Sequence, residues 1–150
     1  MSDFKTRALD IVNHFAKLVP EVEEDASRRS DYVYVDDPTG SRYLEVSFYD
    51  LSQQIPEIKE GAVVNTDQLV EAALALEGIE DASEEFKKDI KSAIEDSFGI
   101  QYELANVYLK KALKEIEEIN KEAGEVILST WVLHSMLAGA KEFYESSRCW

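Results

Sequence analysis

The sequence predicts an α+β protein, mainly helical, with a β-hairpin packed on about five helices and room for a third strand. Three observations predict it. Residues 32–35 and 43–49 alternate in polarity with period two on either side of Asp37-Pro38-Thr39-Gly40. Several other stretches carry apolar residues at spacings of three and four, the helical period. The C-terminal third reads as two long helices, roughly Ile100–Glu122 and Glu125–Ser147, hinged at Gly124 into an antiparallel pair. With 150 residues, one globular domain, 1–150, is expected.

Taken in order, Ser2 or Asp3 caps a first helix running to Val19. Phe4, Ala8, Ile11, Phe15 and Leu18 share its apolar face, and Asp3, Arg7, Asp10, His14 and Lys17 lie opposite. Pro20 drives Val19 out of helical geometry and stops the helix. Residues 21–30 form an acidic-then-basic connector. The hairpin follows, with Val33, Val35, Leu44, Val46 and Phe48 on its core face. Tyr32, Tyr34, Tyr43 and Tyr49 share the other face with Glu45 and Ser47. Pro38 presets one turn dihedral and Gly40 is expected to supply a positive φ, which gives a type I turn with a bulge. The register cannot be read, because such a bulge shifts pairing by one residue.

Pro56 excludes a regular helix through Leu51–Val64, so this stretch is an irregular crossing or the third strand. Asn65, with Gln68 three residues on, forms a capping box for a helix that Gly78 ends. Asp81 or Ser83 caps the next, with the stripe Phe86, Ile90, Ala93, Ile94 and Phe98 and a break at Gly99. Ion pairs four apart are expected for Glu84 with Lys88, Lys114 with Glu118 and Glu117 with Lys121. In the last helix Val126–Ala140 has no charged residue. It is expected to be covered on most of its circumference, with Leu133 and Leu137 buried and a narrow polar stripe of Thr130, His134, Lys141 and Glu145. It is the element around which the chain is expected to pack. At 15 residues this apolar run falls short of the about 20 that a membrane span needs, so no membrane insertion is expected. One unbroken helix through Gly124 would be roughly 70 Å long, too long to fold back within so small a chain.

Charge narrows the partners. The formal net charge is −15 with a pI near 4.5, so free nucleic acid and an anionic membrane are repelled while a basic protein partner is permitted. The single cysteine, Cys149, allows no intrachain disulfide and fits a reducing, cytoplasmic setting. No apolar leader core follows the N-terminus. Neither histidine, His14 nor His134, belongs to a HExxH or ExxH pattern. There is no CxxC, P-loop or GxGxxG, so no metal and no cofactor is expected.

Two candidate surfaces remain. One is the tyrosine set Tyr32, Tyr34, Tyr43 and Tyr49, four of the chain's seven tyrosines in one short stretch. Tyrosine offers contact area, few torsions and a hydroxyl, which suits an interface; internal packing under another element is the plain alternative. The other is the acidic stretch 71–103, ten acids against three lysines, with Glu80, Asp81, Glu84 and Glu85 at its centre. Such a surface can steer a basic partner, or it can be an ordinary solvated face. The leading expectation is a small acidic protein-binding module, an inhibitor of the immunity or phage counter-defence type that occupies a basic partner surface. The alternatives are an assembly subunit that forms homo-oligomers through the C-terminal helices, and an enzyme with an unrecognised carboxylate site.

Overall fold

A computed structural model describes residues 3–22 and 31–147. Along the chain these form α1 (Asp3–Leu18), β1 (Tyr32–Asp36), β2 (Tyr43–Ser47), α2 (Phe48–Gln54), a 3₁₀ turn (Pro56–Glu60), α3 (Thr66–Leu76), α4 (Glu84–Asp96), α5 (Phe98–Ala123) and α6 (Trp131–Ser147). The fold is mainly helical α+β, with one two-stranded antiparallel sheet. Leu51–Val64, the candidate irregular crossing or third strand, holds the end of α2 and the 3₁₀ turn, and pairs with no strand among the described residues. The Ser2 cap, most of the 21–30 connector and Cys149 lie outside the described residues.

The strands pair in the register Val33–Val46, Tyr34–Glu45 and Val35–Leu44. Alternation does what period two requires: Val33, Val35, Leu44 and Val46 are buried, and their neighbours face out. The loop between the strands departs from expectation. Gly40 has no positive φ. The Asp37 carboxylate shapes the loop instead, accepting from the Thr39 amide at 2.9 Å, the Thr39 hydroxyl at 2.7 Å and the Arg42 Nε at 2.9 Å. The second strand also ends earlier than its alternation suggests. Ser47 caps α2 in a capping box with Asp50, which carries Phe48 and Tyr49 into a helix. Phe48 stays buried; Tyr49 leaves the sheet face.

The 3₁₀ turn begins at Pro56 and ends at Gly61, where φ is +84°. A Cβ there would lie 2.7 Å from Lys111 Cβ on α5, so both the backbone conformation and the close approach require glycine. Asn65 and Gln68 cap α3 reciprocally as expected. Ser83, rather than Asp81, caps α4 by accepting from the Phe86 amide. The break between α4 and α5 falls at Ser97, not Gly99: its hydroxyl accepts from the Ile100 amide, and Gly99 lies buried inside α5.

Two hydrophobic clusters make up the interior. One joins the hairpin, α2, α3 and α4 with Ile100 and Leu104 of α5. The other joins Ile11 and Phe15 of α1, the α5 stripe Ala105, Tyr108, Ala112, Ile116 and Ile119, and Leu133, Leu137 and Tyr144 of α6. Helix α5 therefore contributes to both and is the organising element, in place of the last helix. Helix α6 also starts six residues later than expected, at Trp131 rather than Glu125. Gly124 closes α5 with φ +70°, and Asn120 ties down the connector. Its carboxamide accepts from the Ile127 and Leu128 amides at 2.8 and 3.2 Å and donates to the Leu128 carbonyl at 2.9 Å. Leu133 and Leu137 are buried as expected, but α6 is not wrapped: Trp131, His134, Ser135, Ala138 and Gly139 all face out.

Candidate interaction surface

Because the sheet has one inner face, the residues alternating with the buried valines are left on its outer face. These are Tyr32, Tyr34 and Asp36 on β1 and Tyr43, Glu45 and Ser47 on β2. Tyr34 is 53% exposed and Tyr43 50%, so no described element covers this face. The two rings stand diagonally across the ladder and stack, with centroids 5.1 Å apart and planes at 24°. The neighbouring Asp36 carboxylate, through hydrogen bonding and charge, together with slight burial, raises the Tyr34 phenol above its ordinary titration range. The surface is thus two stacked rings between two carboxylates. Tyr49, placed with them by alternation, sits apart on α2, where the Lys59 ammonium lies 5.5 Å over its ring.

Glu80, Asp81, Glu84 and Glu85 are all exposed, at the loop and first turn of α4. The structure joins this cluster to the hairpin through a residue the sequence reading passed over. Arg42 bonds the Asp37 carboxylate with Nε and the Asp81 carboxylate with Nη1 at 2.7 Å, and its guanidinium lies 6.0 Å from the Phe86 ring centre. The Thr39 hydroxyl and amide, with Arg42, hold Asp37 below the usual carboxylate range; Arg42 does the same for Asp81 and is itself raised by both. Asp81 is therefore a structural partner as well as part of the acidic patch. Arg42 was detectable in the sequence as the only basic residue between Arg29 and Lys59.

Two lysines of α4 pair across to α3. Lys91 reaches Asp67 at 3.2 Å and Lys87 reaches Glu71 at 3.8 Å, both on α3. Among the described residues the expected pairs Glu84–Lys88, Lys114–Glu118 and Glu117–Lys121 do not come within ion-pair distance; Lys111–Glu115 does, at 3.9 Å. Glu84 and Glu85 at the start of α4 face solvent and form no ion pair with a described residue.

Of the two histidines, His134 keeps its expected place beside Thr130 and Lys141, and His14 does not stay on an open polar face. His14, placed on the polar face of α1, packs edge-on against Tyr108 with centroids 4.7 Å apart, and its Nε2 is buried without a hydrogen-bond partner among the described residues. It lines a groove of about 590 Å³ between α1 and α5 with Arg7, Asp10, Lys111 and Glu115. His134 lies in a shallow depression with Thr130, Trp131, Ser135, Ala138 and Lys141, and among the described residues no carboxylate lines it. No cluster of three or more metal-ligating side chains occurs among the described residues. None of their helices is long and apolar enough to cross a membrane.

Comparison with family models, with curated proteins and with solved structures gives no match.

Proposed function

We propose that this chain is a small acidic protein-binding module that works by occupying a basic surface of a protein partner, in the manner of an immunity or counter-defence inhibitor. One observation carries the reading: Tyr32, Tyr34 and Tyr43 stand uncovered on a rigid hairpin face. Exposed, stacked aromatics with fixed torsions supply contact area at little entropic cost. The neighbouring acids Glu80, Glu84 and Glu85 would steer encounter in a chain of net charge −15. The partner is a protein, not free nucleic acid or a membrane, and the setting is cytoplasmic; no cofactor enters.

The test is capture of a partner from the native host at low and high salt, followed by kinetics with two variants. Tyr34→Ala with Tyr43→Ala should quicken dissociation with little salt dependence. Glu80→Gln, Glu84→Gln and Glu85→Gln together should slow association, an effect that fades as salt rises. Asp81 is left intact, because its substitution would also release Arg42. A partner bound at wild-type rates by both variants overturns the reading.

A second reading is favoured by α6. Its outer face and the preceding connector expose Val126, Trp131 and Val132, an unusual set for a surface. Self-association through the C-terminal helices would cover them. A solution mass near twice 17.0 kDa, reverting to 17.0 kDa in Trp131→Ala, supports this; a monomeric wild type removes it.

A further inference from the structure

We infer that the hairpin takes an extended, arginine-bearing segment of the partner, which adds as a third strand along the edge of β1 that no described residue pairs with and lays its guanidinium groups on the Tyr34–Tyr43 stack. This rests on the basic-partner reading and names the chemistry the surface selects.

The edge follows from the hydrogen-bond alternation. The Phe48 amide donates to the Asp31 carbonyl and the Asp37 amide to the Arg42 carbonyl, in the same register as Val33–Val46 and Val35–Leu44. In an antiparallel pair these positions exchange main-chain bonds, and the positions between them turn their amides and carbonyls outward. The outward positions on β1 are Tyr32, Tyr34 and Asp36, and among the described residues none of their main-chain groups has a backbone partner. On β2 the corresponding run is cut short, since the Ser47 amide is taken by Asp50 and the chain turns into α2. The β1 edge is therefore the longer template for an added strand.

Arginine is selected by the side chains on the same three residues and their neighbours. A planar guanidinium stacks on a tyrosine face and bonds a carboxylate in the same plane; a lysine ammonium does the first less well and the second without the fork. Tyr34 and Tyr43 offer the faces, and Asp36 and Glu45 offer carboxylates beside them. Among the described residues no cation of this chain occupies either ring, whereas Lys59 already lies over Tyr49 and Arg42 near Phe86. The charge of the chain supplies the complementarity: a basic strand is attracted, and an acidic or second copy is repelled.

The experiment titrates the full, isotope-labelled chain with two capped hexapeptides at low salt, one alternating threonine with arginine and one alternating threonine with lysine. The arginine peptide is expected to bind about tenfold more tightly, and to shift the amides of Tyr32, Tyr34 and Asp36 most. Tyr34→Leu with Tyr43→Leu keeps strand-compatible side chains but no rings, and should bring the arginine peptide down to the lysine level. An arginine peptide N-methylated at alternate residues should bind several-fold more weakly, because one of its edges can no longer pair. Equal affinity for arginine and lysine peptides, or shifts confined to Glu80–Glu85, overturns the inference while leaving the basic-partner reading in place. Failure of both peptides to bind also overturns it, and the capture experiment above then decides the broader reading by itself.

Discussion

Helices α5 and α6 make an instructive pair, because the more apolar of the two is the more exposed. Helix α5 carries lysines and glutamates along its 26 residues, yet buries eleven positions and serves both hydrophobic clusters. Helix α6 has no charge from Trp131 to Ala140, yet leaves Trp131, Ser135, Ala138 and Gly139 in solvent. Burial follows the phase of the apolar positions, not their number. In α5 the apolar residues recur on faces that two sets of neighbours can cover. In α6 the side carrying Leu133, Leu137, Ala140 and Tyr144, flanked by Met136 and Phe143, meets its neighbours, and the opposite side leaves Trp131, Val132 and small residues in solvent.

The largest expected effects lie where the two helices meet. Ile116 of α5 and Leu133 of α6 are both fully buried in the same cluster. Ile116→Ala and Leu133→Ala should each cost about 2–5 kcal/mol through lost transfer energy and an unfilled cavity. Chemical denaturation of both variants checks this. An unchanged midpoint for Leu133→Ala alone would mean that α6 is not docked on α5, and the contrast between the helices would then be one of attachment rather than of phase.

The next effect tests how α5 fixes its neighbour. Asn120 closes three hydrogen bonds onto the connector at Ile127 and Leu128. Asn120→Ala leaves partly buried main-chain groups without partners and should cost about 1–3 kcal/mol. Faster amide exchange should appear in residues 125–135 first. Exchange rising equally along α5 would show that the connector and the spine open together.

What the sequence made legible follows the same division. Period two fixed the hairpin's inner face, and the Asn65–Gln68 box, the α1 stripe and the burial of Leu133 and Leu137 were readable from local patterns. Each rests on residues a few positions apart. The uncovered α6 face is a tertiary fact, and the reach of Arg42 to Asp81 and the packing of His14 on Tyr108 depend on partners 39 and 94 positions away. Absence of charge was read as burial, which holds only if a neighbour exists to bury against. Tyr49 was misplaced for a local reason that was nearly visible: Ser47 with Asp50 is a capping signal that competes with continued alternation, and the helix won. The candidate surface was legible as a set of residues, but whether those rings were covered was a tertiary question.

A smaller effect concerns the hairpin's own anchor. The Asp37 carboxylate is held below the usual range by Thr39 and Arg42, so its folded-state pKa lies below its unfolded one. It contributes stability that is present above about pH 4 and lost as pH falls through the lowered folded value. Asp37→Asn replaces an acceptor facing the Arg42 Nε by a donor or a neutral oxygen, and should remove this acid-side slope while leaving the slope above neutrality unchanged. Thermal melts of both proteins between mildly acidic and strongly acidic pH measure it. An identical acid limb would place the sensitive carboxylate elsewhere and leave the loop held by Thr39 alone.

The smallest expected change is the sharpest test of the α5–α6 contrast. Trp131 is the largest side chain on α6 and is 74% exposed, two positions from the fully buried Leu133. If phase alone decides burial, Trp131→Ala should change the stability of the monomer by no more than about 0.5 kcal/mol, against the several lost at Leu133. The ring lies 5.9 Å from His134, also exposed, so no buried group is orphaned by its removal. Measured across a range of protein concentrations, the variant separates two causes of any larger loss. A loss that grows with concentration in the wild-type comparison means that Trp131 is covered in an assembly, because association adds stability by mass action. A loss independent of concentration means that the outer face of α6 is held within the single chain, and then apolar content, not phase, would have been the better guide to this helix.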